Sequence, residues 1–300
     1  MNILIVGTGA LGSLFAARLA QAGHQVTMLG TWKDGLDAIR SGGVRFTDSH
    51  GNEQRFSIQA TDNPRECVGV KHALVLVKAW QTERAAHQLK ECLAQDGLAV
   101  TLQNGLGNRE TLIQSLGPGR VALGVTTAGA TLLGPGAVQA GGEGPISIER
   151  NQALGPLEAA LLSANFDVRI VDDAQSLVWG KLVINSAINP LTALLRVSNG
   201  ELLERPSARE MMGTLALETA HVAIAEQIKL PFDDPIAAAE EVARKTAANR
   251  SSMLQDVLRG AQTEIDAICG AVVNYGGKHR IPTPTNWDCW KLVRALYSRG

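Results

Sequence analysis

Aromatic residues are scarce in this 300-residue chain: Phe, Trp and Tyr together make up 4% of it. A surface that stacks nucleobases is built on such rings, so their scarcity argues against a single-strand nucleic-acid binder. Excess charge of either sign is missing too. Lys and Arg number 28 against 29 Asp and Glu, a formal net charge of −1, which offers no field to attract nucleic acid or an anionic membrane. The four cysteines, Cys67, Cys92, Cys269 and Cys289, are scattered with no CxxC pair. They read as buried or incidental thiols of a reducing compartment. The six histidines, at 24, 50, 72, 87, 221 and 279, form no HExxH or other close spacing, so no metal is expected. No apolar run is long enough to span a bilayer. The start, MNILIV, enters a strand with no basic segment before it. The expectation is a cytoplasmic protein that binds neither membrane nor nucleic acid.

What is present describes an ordinary soluble globular protein, 45% apolar and 19% charged. Its length exceeds the usual single core and predicts two domains. The stretch Trp179 to Pro190, WGKLVINSAINP, stands out. As a helix it places Lys181, Asn185 and Asn189 four residues apart, nearly above one another. Leu182, Val183, Ile184, Ala187 and Ile188 around them are apolar. Asn inside a helix costs up to roughly 0.7 kcal/mol relative to Ala, and an unpaired buried amide about 1–3 kcal/mol more. Such a stripe makes sense lining a cleft around a small polar ligand; a solvated helix face with accidental spacing is the competing reading.

At the amino terminus, the buried-type strand Asn2 to Val6 runs straight into Gly7-Thr8-Gly9-Ala10-Leu11-Gly12. The following residues, SLFAARLAQAG, read as a helix. In this GxGxxG setting Gly7 makes the tight turn, Gly9 lets backbone approach a pyrophosphate, and Gly12 lets helix pack on strand. The helix start supplies unpaired N–H groups and a positive dipole end. A dinucleotide cofactor is therefore expected. After the second strand, Gln25 to Leu29, an NAD-binding chain usually carries an acid for the ribose hydroxyls. Here Gly30-Thr31-Trp32-Lys33 follows instead. That leaves room for a 2′-phosphate with Thr31 or Lys33 as contacts, and favours NADP while leaving NAD open. Lys33 reads equally well as a surface lysine.

Val44 to Thr47 and Phe56 to Ala60 read as a hairpin through His50-Gly51-Asn52. The strand His72 to Val77 ends in Lys78-Ala79-Trp80-Gln81, and Leu98 to Leu102 ends in Gln103-Asn104-Gly105. Open α/β sheets bind ligands at such carboxyl ends, so Lys78, Gln81 and Asn104 are candidates to face cofactor or substrate; for Gln81 and Gln103 a plain turn role competes. Arg120 to Thr126 and Phe166 to Val171 are further strands, with a turn or hairpin expected in the glycine-rich run 134–144. Beyond residue 172 strand patterns stop and helical periods take over. The fold class is α/β: a Rossmann-type domain over 1–172, then an all-helical domain over 173–300. Helices are expected over 207–228, 234–258, 263–275 and after Pro282-Thr283-Pro284 to the end. Asn249-Arg250-Ser251-Ser252 interrupts the second with four polar residues, a loop or cap that could also hold a carboxylate. Glu264 opens the third, a first-turn acid favoured by the helix dipole whose functional reading depends on reaching Lys181.

Taken together, these segments resemble the ketopantoate reductases (2-dehydropantoate 2-reductases). The resemblance rests on GTGALG at 7–12, KAWQ at 78–81, QNG at 103–105, KLVINSAINPLTAL at 181–194, NGEL at 199–202, SSMLQD at 251–256, TEID at 263–266 and IPTPTN at 281–286. It implies NADPH-dependent reduction of ketopantoate to pantoate, a step toward pantothenate and coenzyme A. Position by position, it makes Lys181 the catalytic lysine and Glu264 its partnering acid. Asn185 and Asn189 match substrate-binding asparagines, and Asn249 and Ser252 match contacts to the substrate carboxylate. Asn104 matches a residue beside nicotinamide and substrate, and Lys78 and Gln81 match residues near the cofactor. Thr31 departs from the pattern, because well-known members carry there an Arg that binds the 2′-phosphate.

The residue types fit that chemistry. Hydride arrival leaves negative charge on the carbonyl oxygen, and a helix-borne Lys offers both cation and proton, an effect typically worth ~10²–10⁴-fold. An adjacent acid keeps the ammonium charged, and Asn amides both donate and accept. The nearest alternatives are reductases of another branched 2-keto acid and β-hydroxyacid or opine dehydrogenases. A non-catalytic dinucleotide sensor has no need of both Lys181 and Glu264. The expected partner is a small 2-keto acid, and the chain is expected to be a monomer or homodimer.

Overall fold

A computed structural model describes residues 1–297. The chain divides into two compact units, 1–103 with 108–174, and 104–107 with 175–300. The short Asn104–Gly107 stretch counts with the helical unit and not with the sheet from which it emerges.

The first unit runs β1 (Asn2–Val6), α1 (Ala10–Gln21), β2 (Gln25–Leu29), α2 (Lys33–Gly42), β3 (Val44–Thr47), β4 (Glu53–Phe56), β5 (Gln59–Thr61), β6 (Val70–Val75), α3 (Thr82–Cys92), β7 (Leu93–Thr101), α4 (Asn108–Leu116), β8 (Val121–Thr126), β9 (Ala130–Gly134), β10 (Ala137–Ala140), β11 (Ile146–Glu149), α5 (Gly155–Ser163) and β12 (Val168–Val171). Eight strands form one sheet in the order β12-β11-β8-β7-β6-β1-β2-β5. Every pairing in it is parallel except β11 with β8. β1 is central, with β2 on one side and β6 on the other, and the chain reverses its direction of travel there. That reversal opens the crevice where such sheets take ligands. Strand alternation builds the two flanking cores: Ile3 and Ile5 join Phe15, Leu19 and Leu161, whereas Leu4 and Val6 join Leu89, Leu112 and Leu116. Each such fully buried side chain contributes about 1.5–3 kcal/mol.

The hairpin differs from the expected one. The Asp48 carboxylate accepts the backbone N–H groups of His50 and Asn52, both at 2.8 Å. This closes the turn early, so β3 pairs with Glu53–Phe56 and not with 56–60. Gln59–Thr61 leaves the hairpin to run parallel to β2. The glycine-rich run does hold a hairpin, β9 with β10, but it starts at Ala130. Its strands join β3 and β4 in a second sheet, β4-β3-β10-β9. β6 begins and ends two residues before the expected strand, and just past its end Leu76 still donates its N–H to the Val6 carbonyl at 2.9 Å. β7 begins at Leu93, where the Arg120 guanidinium gathers the carbonyls of Leu93 and Ala94.

The second unit is helical: α6 (Ala174–Leu195), α7 (Pro206–Ala225), α8 (Pro235–Lys245), α9 (Ser252–Leu258), α10 (Ala271–His279) and α11 (Pro284–Ala295). The helix expected over 234–258 is two helices. Ser251 caps the second by accepting the Leu254 N–H at 3.1 Å, a capping role that suits Ser far better than a helix interior. The expected 263–275 helix starts later, as a π-helical turn over Asp266–Gly270 that continues into α10. Glu264 therefore precedes that helix; its carbonyl accepts Ala267 and Ile268 N–H, each at 3.1 Å. The last residues of the expected carboxyl-terminal segment, 298–300, lie outside the described residues. The core of this unit gathers Trp179, Leu182, Val183, Ile188, Met212, Leu215, Ile265 and Ile268.

Candidate functional site

In the first unit the glycine loop has the shape of a phosphate cradle. Gly7 takes φ +129°, and a Cβ there would come within 2.9 Å of the Leu76 backbone. A Cβ on Gly12 would lie 2.2 Å from the Gly7 carbonyl oxygen, so only glycine lets the helix sit this close to the strand. Gly9 is different. Its Cβ would meet nothing within 4 Å, which is the open approach a pyrophosphate requires. Gly9 is also the N-cap of α1 and provides no side-chain cap. The first N–H groups of that helix, at Ala10, Leu11 and Gly12, are thus presented without an intrahelical acceptor. The loop fits a dinucleotide.

Around this cradle Thr8 is buried and packs against Gly30, where a Cβ would meet the threonine side chain at 2.8 Å. This holds the ends of β1 and β2 side by side. Thr31 and Lys33 are both exposed just beyond β2, at the place where an adenosine ribose or its phosphate reaches in this architecture. Lys78 follows β6, and its N–H donates to Gln81 Oε1 at 3.2 Å while Gln81 N–H returns to the Lys78 carbonyl at 2.8 Å. The Gln81 carboxamide therefore closes its own turn, the role that competed with cofactor contact in the sequence.

Gln103, which reads as a turn residue, is the structural keystone of that loop. Its Nε2 donates to the Val77 carbonyl at 3.0 Å and to Thr82 Oγ1 at 2.8 Å, and its Oε1 accepts from Thr101 Oγ1 at 3.0 Å. Thr82 in turn donates to Ala79 carbonyl and meets Asn108 Oδ1. No sequence motif announces this network, since it joins the ends of two strands and two helices.

The second unit carries the candidate acid–base group. On α6, Lys181 and Asn185 are half-buried and Asn189 is buried at 7% exposure. Glu264 is buried at 6% exposure and accepts a 2.9 Å hydrogen bond from Asn104 Nδ2. Desolvation pulls the Lys181 ammonium down to about 8, and the charge of Glu264 works in the opposite direction. A lysine so placed exchanges its proton near neutral pH, as a general acid should.

Backbone geometry makes the Asn104–Glu264 contact possible. Gly105 takes φ +79°, and a Cβ there would lie 2.3 Å from the Ala267 carbonyl oxygen. That oxygen instead accepts the Leu106 N–H at 3.0 Å. The Asn104–Leu106 stretch thus docks against the π-helical turn and brings Asn104 to Glu264. Asn249 and Ser252 are both exposed, on the connection before α9 and at its first residue. Lys181, Glu264 and Asn104 form one interacting group, with Asn185 and Asn189 further along the same helix. Lys78 and Gln81 stand in the first unit and Asn104 in the second. Among the described residues no group of three or more His, Cys, Asp or Glu could hold a metal ion, and no helix is long and apolar enough to cross a membrane.

This geometry accompanies clear family likeness. Residues 3–152 match the family model described as ketopantoate reductase PanE/ApbA, and residues 173–297 match its C-terminal counterpart. A 2-dehydropantoate 2-reductase of Halobacterium salinarum is 33% identical, with both chains covered in full. Among solved structures, a PanE/ApbA family ketopantoate reductase from Ralstonia eutropha is 32% identical, with a TM-score of 0.93 over 100% of this chain and 99% of that one. A D-mandelate dehydrogenase solved with NADH and anilino(oxo)acetate is 27% identical, also with a TM-score of 0.93, over 99% and 98% of the two chains. The chain belongs to the ketopantoate reductase family.

Proposed function

We propose that this protein is a 2-dehydropantoate 2-reductase that reduces ketopantoate to pantoate with NADPH, in the cytoplasm, on the way to pantothenate and coenzyme A. The observation that carries the reading is the group on and around α6: Lys181 interacting with the buried Glu264, which Asn104 holds at 2.9 Å, so that burial lowers the ammonium to about 8 while the carboxylate opposes the fall. In this reading 1–172 is the cofactor domain and 173–300 the substrate domain. Gly7 to Gly12 hold the pyrophosphate on their N–H groups, with Lys78 nearby and Thr31 and Lys33 toward the adenosine end. The nicotinamide, when bound, supplies the hydride.

The chain's own residues supply position, charge and proton. Lys181 Nζ stabilises negative charge on the substrate's carbonyl oxygen and passes it a proton, turning ketone into alcohol. Glu264 raises the fraction of Lys181 that is protonated, and Asn104 keeps Glu264 in place. Asn185 and Asn189 hydrogen-bond the hydroxyl and carbonyl groups of the substrate. Asn249 and Ser252 hydrogen-bond its carboxylate. The test is NADPH oxidation with ketopantoate, repeated with Lys181→Ala. Wild-type turnover that falls by ~10²–10⁴-fold in kcat, with NADPH binding retained, supports the reading. Tight NADPH binding without turnover of ketopantoate sinks the substrate assignment.

A second reading is favoured by Thr31 and by the D-mandelate dehydrogenase likeness: the same acid–base group reducing a different 2-keto acid, with NADH. Running the assay with NADH and with branched and aromatic 2-keto acids separates the two. The better pair by kcat/KM identifies the physiological class.

A further inference from the structure

The connection from α8 to α9 is tied to its surroundings at both ends. At its start, Asn199 N–H donates to the Asn249 carbonyl at 3.0 Å and Asn199 Nδ2 to Thr246 Oγ1 at 2.9 Å, while Gly200 N–H reaches the Ala247 carbonyl at 3.0 Å. At its end lies a hydroxyl pair: Thr192 Oγ1 on α6 and Ser251 Oγ, 2.7 Å apart. Thr192 is fully buried and Ser251 is 7% exposed, so water scarcely competes with their bond.

The carbonyl at one end, which can only accept, gives this hydrogen-bond chain its direction. A hydroxyl has one hydrogen to give. Thr192 gives its own to the Asn189 carbonyl at 2.9 Å, so the bridging hydrogen comes from Ser251. Ser251 Oγ in turn accepts the Leu254 N–H at 3.1 Å. One continuous relay therefore runs from the first turn of α9, through Ser251 and Thr192, to the carbonyl of Asn189. Packing alone does not call for it, because replacing both partners of a buried hydrogen bond by apolar groups of similar shape is close to neutral for stability. What the relay adds is registration between two segments.

We propose that Thr192 and Ser251 are a positioning pair for substrate binding. They register Asn249 and Ser252, on the tied connection, against the Lys181–Asn185–Asn189 stripe of α6. The inference rests on the 2-keto acid reductase reading given above. Neither hydroxyl needs to touch substrate, since both act through the segments they join.

Steady-state kinetics of the full chain test this with Thr192→Val, Thr192→Ser, Ser251→Ala and the double variant Thr192→Val/Ser251→Ala. Thr192→Val keeps shape and loses only the hydroxyl. It is expected to raise KM for the 2-keto acid about tenfold with kcat within about twofold, and to leave the NADPH dissociation constant unchanged. Thr192→Ser, which retains the hydroxyl, restores the wild-type KM. The double variant shows a KM no higher than Ser251→Ala alone, the non-additivity of groups acting through one contact. A KM for Thr192→Val within twofold of wild type overturns the inference, whether or not the melting temperature shifts. So does a Thr192→Ser variant as impaired as Thr192→Val, or single effects that multiply in the double variant. Wild-type protein that reduces no 2-keto acid removes the reductase reading and this inference with it. Normal wild-type turnover with an unmoved Thr192→Val KM removes the inference alone.

Discussion

Asn104 Nδ2 donates to Glu264 Oε2 at 2.9 Å, closing a contact between residues 160 positions apart. Glu264 in turn acts on Lys181, whose pKa burial lowers and this carboxylate partly restores. Three residues from three separate stretches of chain thereby form one interacting group.

The first consequence is a pH dependence with a defined sign. A lysine whose pKa is brought down to about 8 is a proton donor below that value and loses the proton above it. The kcat/KM for keto acid reduction is therefore expected to fall as pH rises through about 8, with the reverse reaction gaining over the same interval. Glu264→Gln keeps an acceptor for Asn104 but removes the charge that supports the ammonium. The falling limb should move to lower pH in that variant. A limb that stays in place would mean another group carries the titration.

Gly9 and Gly12 should fail in different ways. A Cβ on Gly9 meets nothing within 4 Å, whereas one on Gly12 runs into the Gly7 carbonyl at 2.2 Å. Gly9→Ala should melt within a few degrees of wild type and lose dinucleotide affinity, read by NADPH fluorescence titration. Gly12→Ala should lose both affinity and melting temperature, with destabilisation on the order of 1–3 kcal/mol from overpacking. Equal loss of stability in both variants would contradict the open approach assigned to Gly9.

Cofactor choice should respond to residue 31. Thr31 is exposed after β2, and an Arg there supplies the planar, bidentate partner that a phosphate prefers. Thr31→Arg is expected to raise the NADPH-over-NADH ratio of kcat/KM by about tenfold, one charge-assisted contact's worth. An unchanged ratio would place the discriminating contact elsewhere, with Lys33 the next residue to replace.

Glu218 supports the end of the helical unit. Buried at 8% exposure, it accepts the backbone N–H groups of Thr285 and Asn286 and the Asn286 carboxamide, all at 2.9 Å. Glu218→Ala orphans these donors at the start of α11, a loss of about 2–4 kcal/mol. Denaturant unfolding would register it as a lower midpoint, and an unshifted midpoint would show that water replaces the carboxylate.

Local patterns made much of this protein readable from its residues alone. The strand–GxGxxG–helix at 2–21 forms where the spacing puts it, because a tight turn and a close helix approach are demands on single residues that only glycine meets. The Lys181–Asn185–Asn189 stripe falls on α6 because helical period is a local property, and the shift from strand to helix near residue 172 follows the hydrophobic repeat. Two departures rest on short-range side-chain to backbone hydrogen bonds that the hydrophobic period does not reveal. The early closure of the β3–β4 turn depends on where the Asp48 carboxylate finds N–H groups, and the split of 234–258 on Ser251 serving as a cap. Residue type marks Glu264 only as an acid near a helix start, and the family resemblance names it as the partner of Lys181. The contact itself exists only once α6, the Asn104–Gly107 segment and the turn before α10 are packed together. In the same way the Gln103 network needs the ends of β6 and β7 beside α3, and the Thr192–Ser251 bridge needs α6 beside the connection into α9. Backbone periodicity is encoded within a few neighbouring residues, but hydrogen bonds between buried side chains are chosen by tertiary packing, which alone decides which partners come within 3 Å.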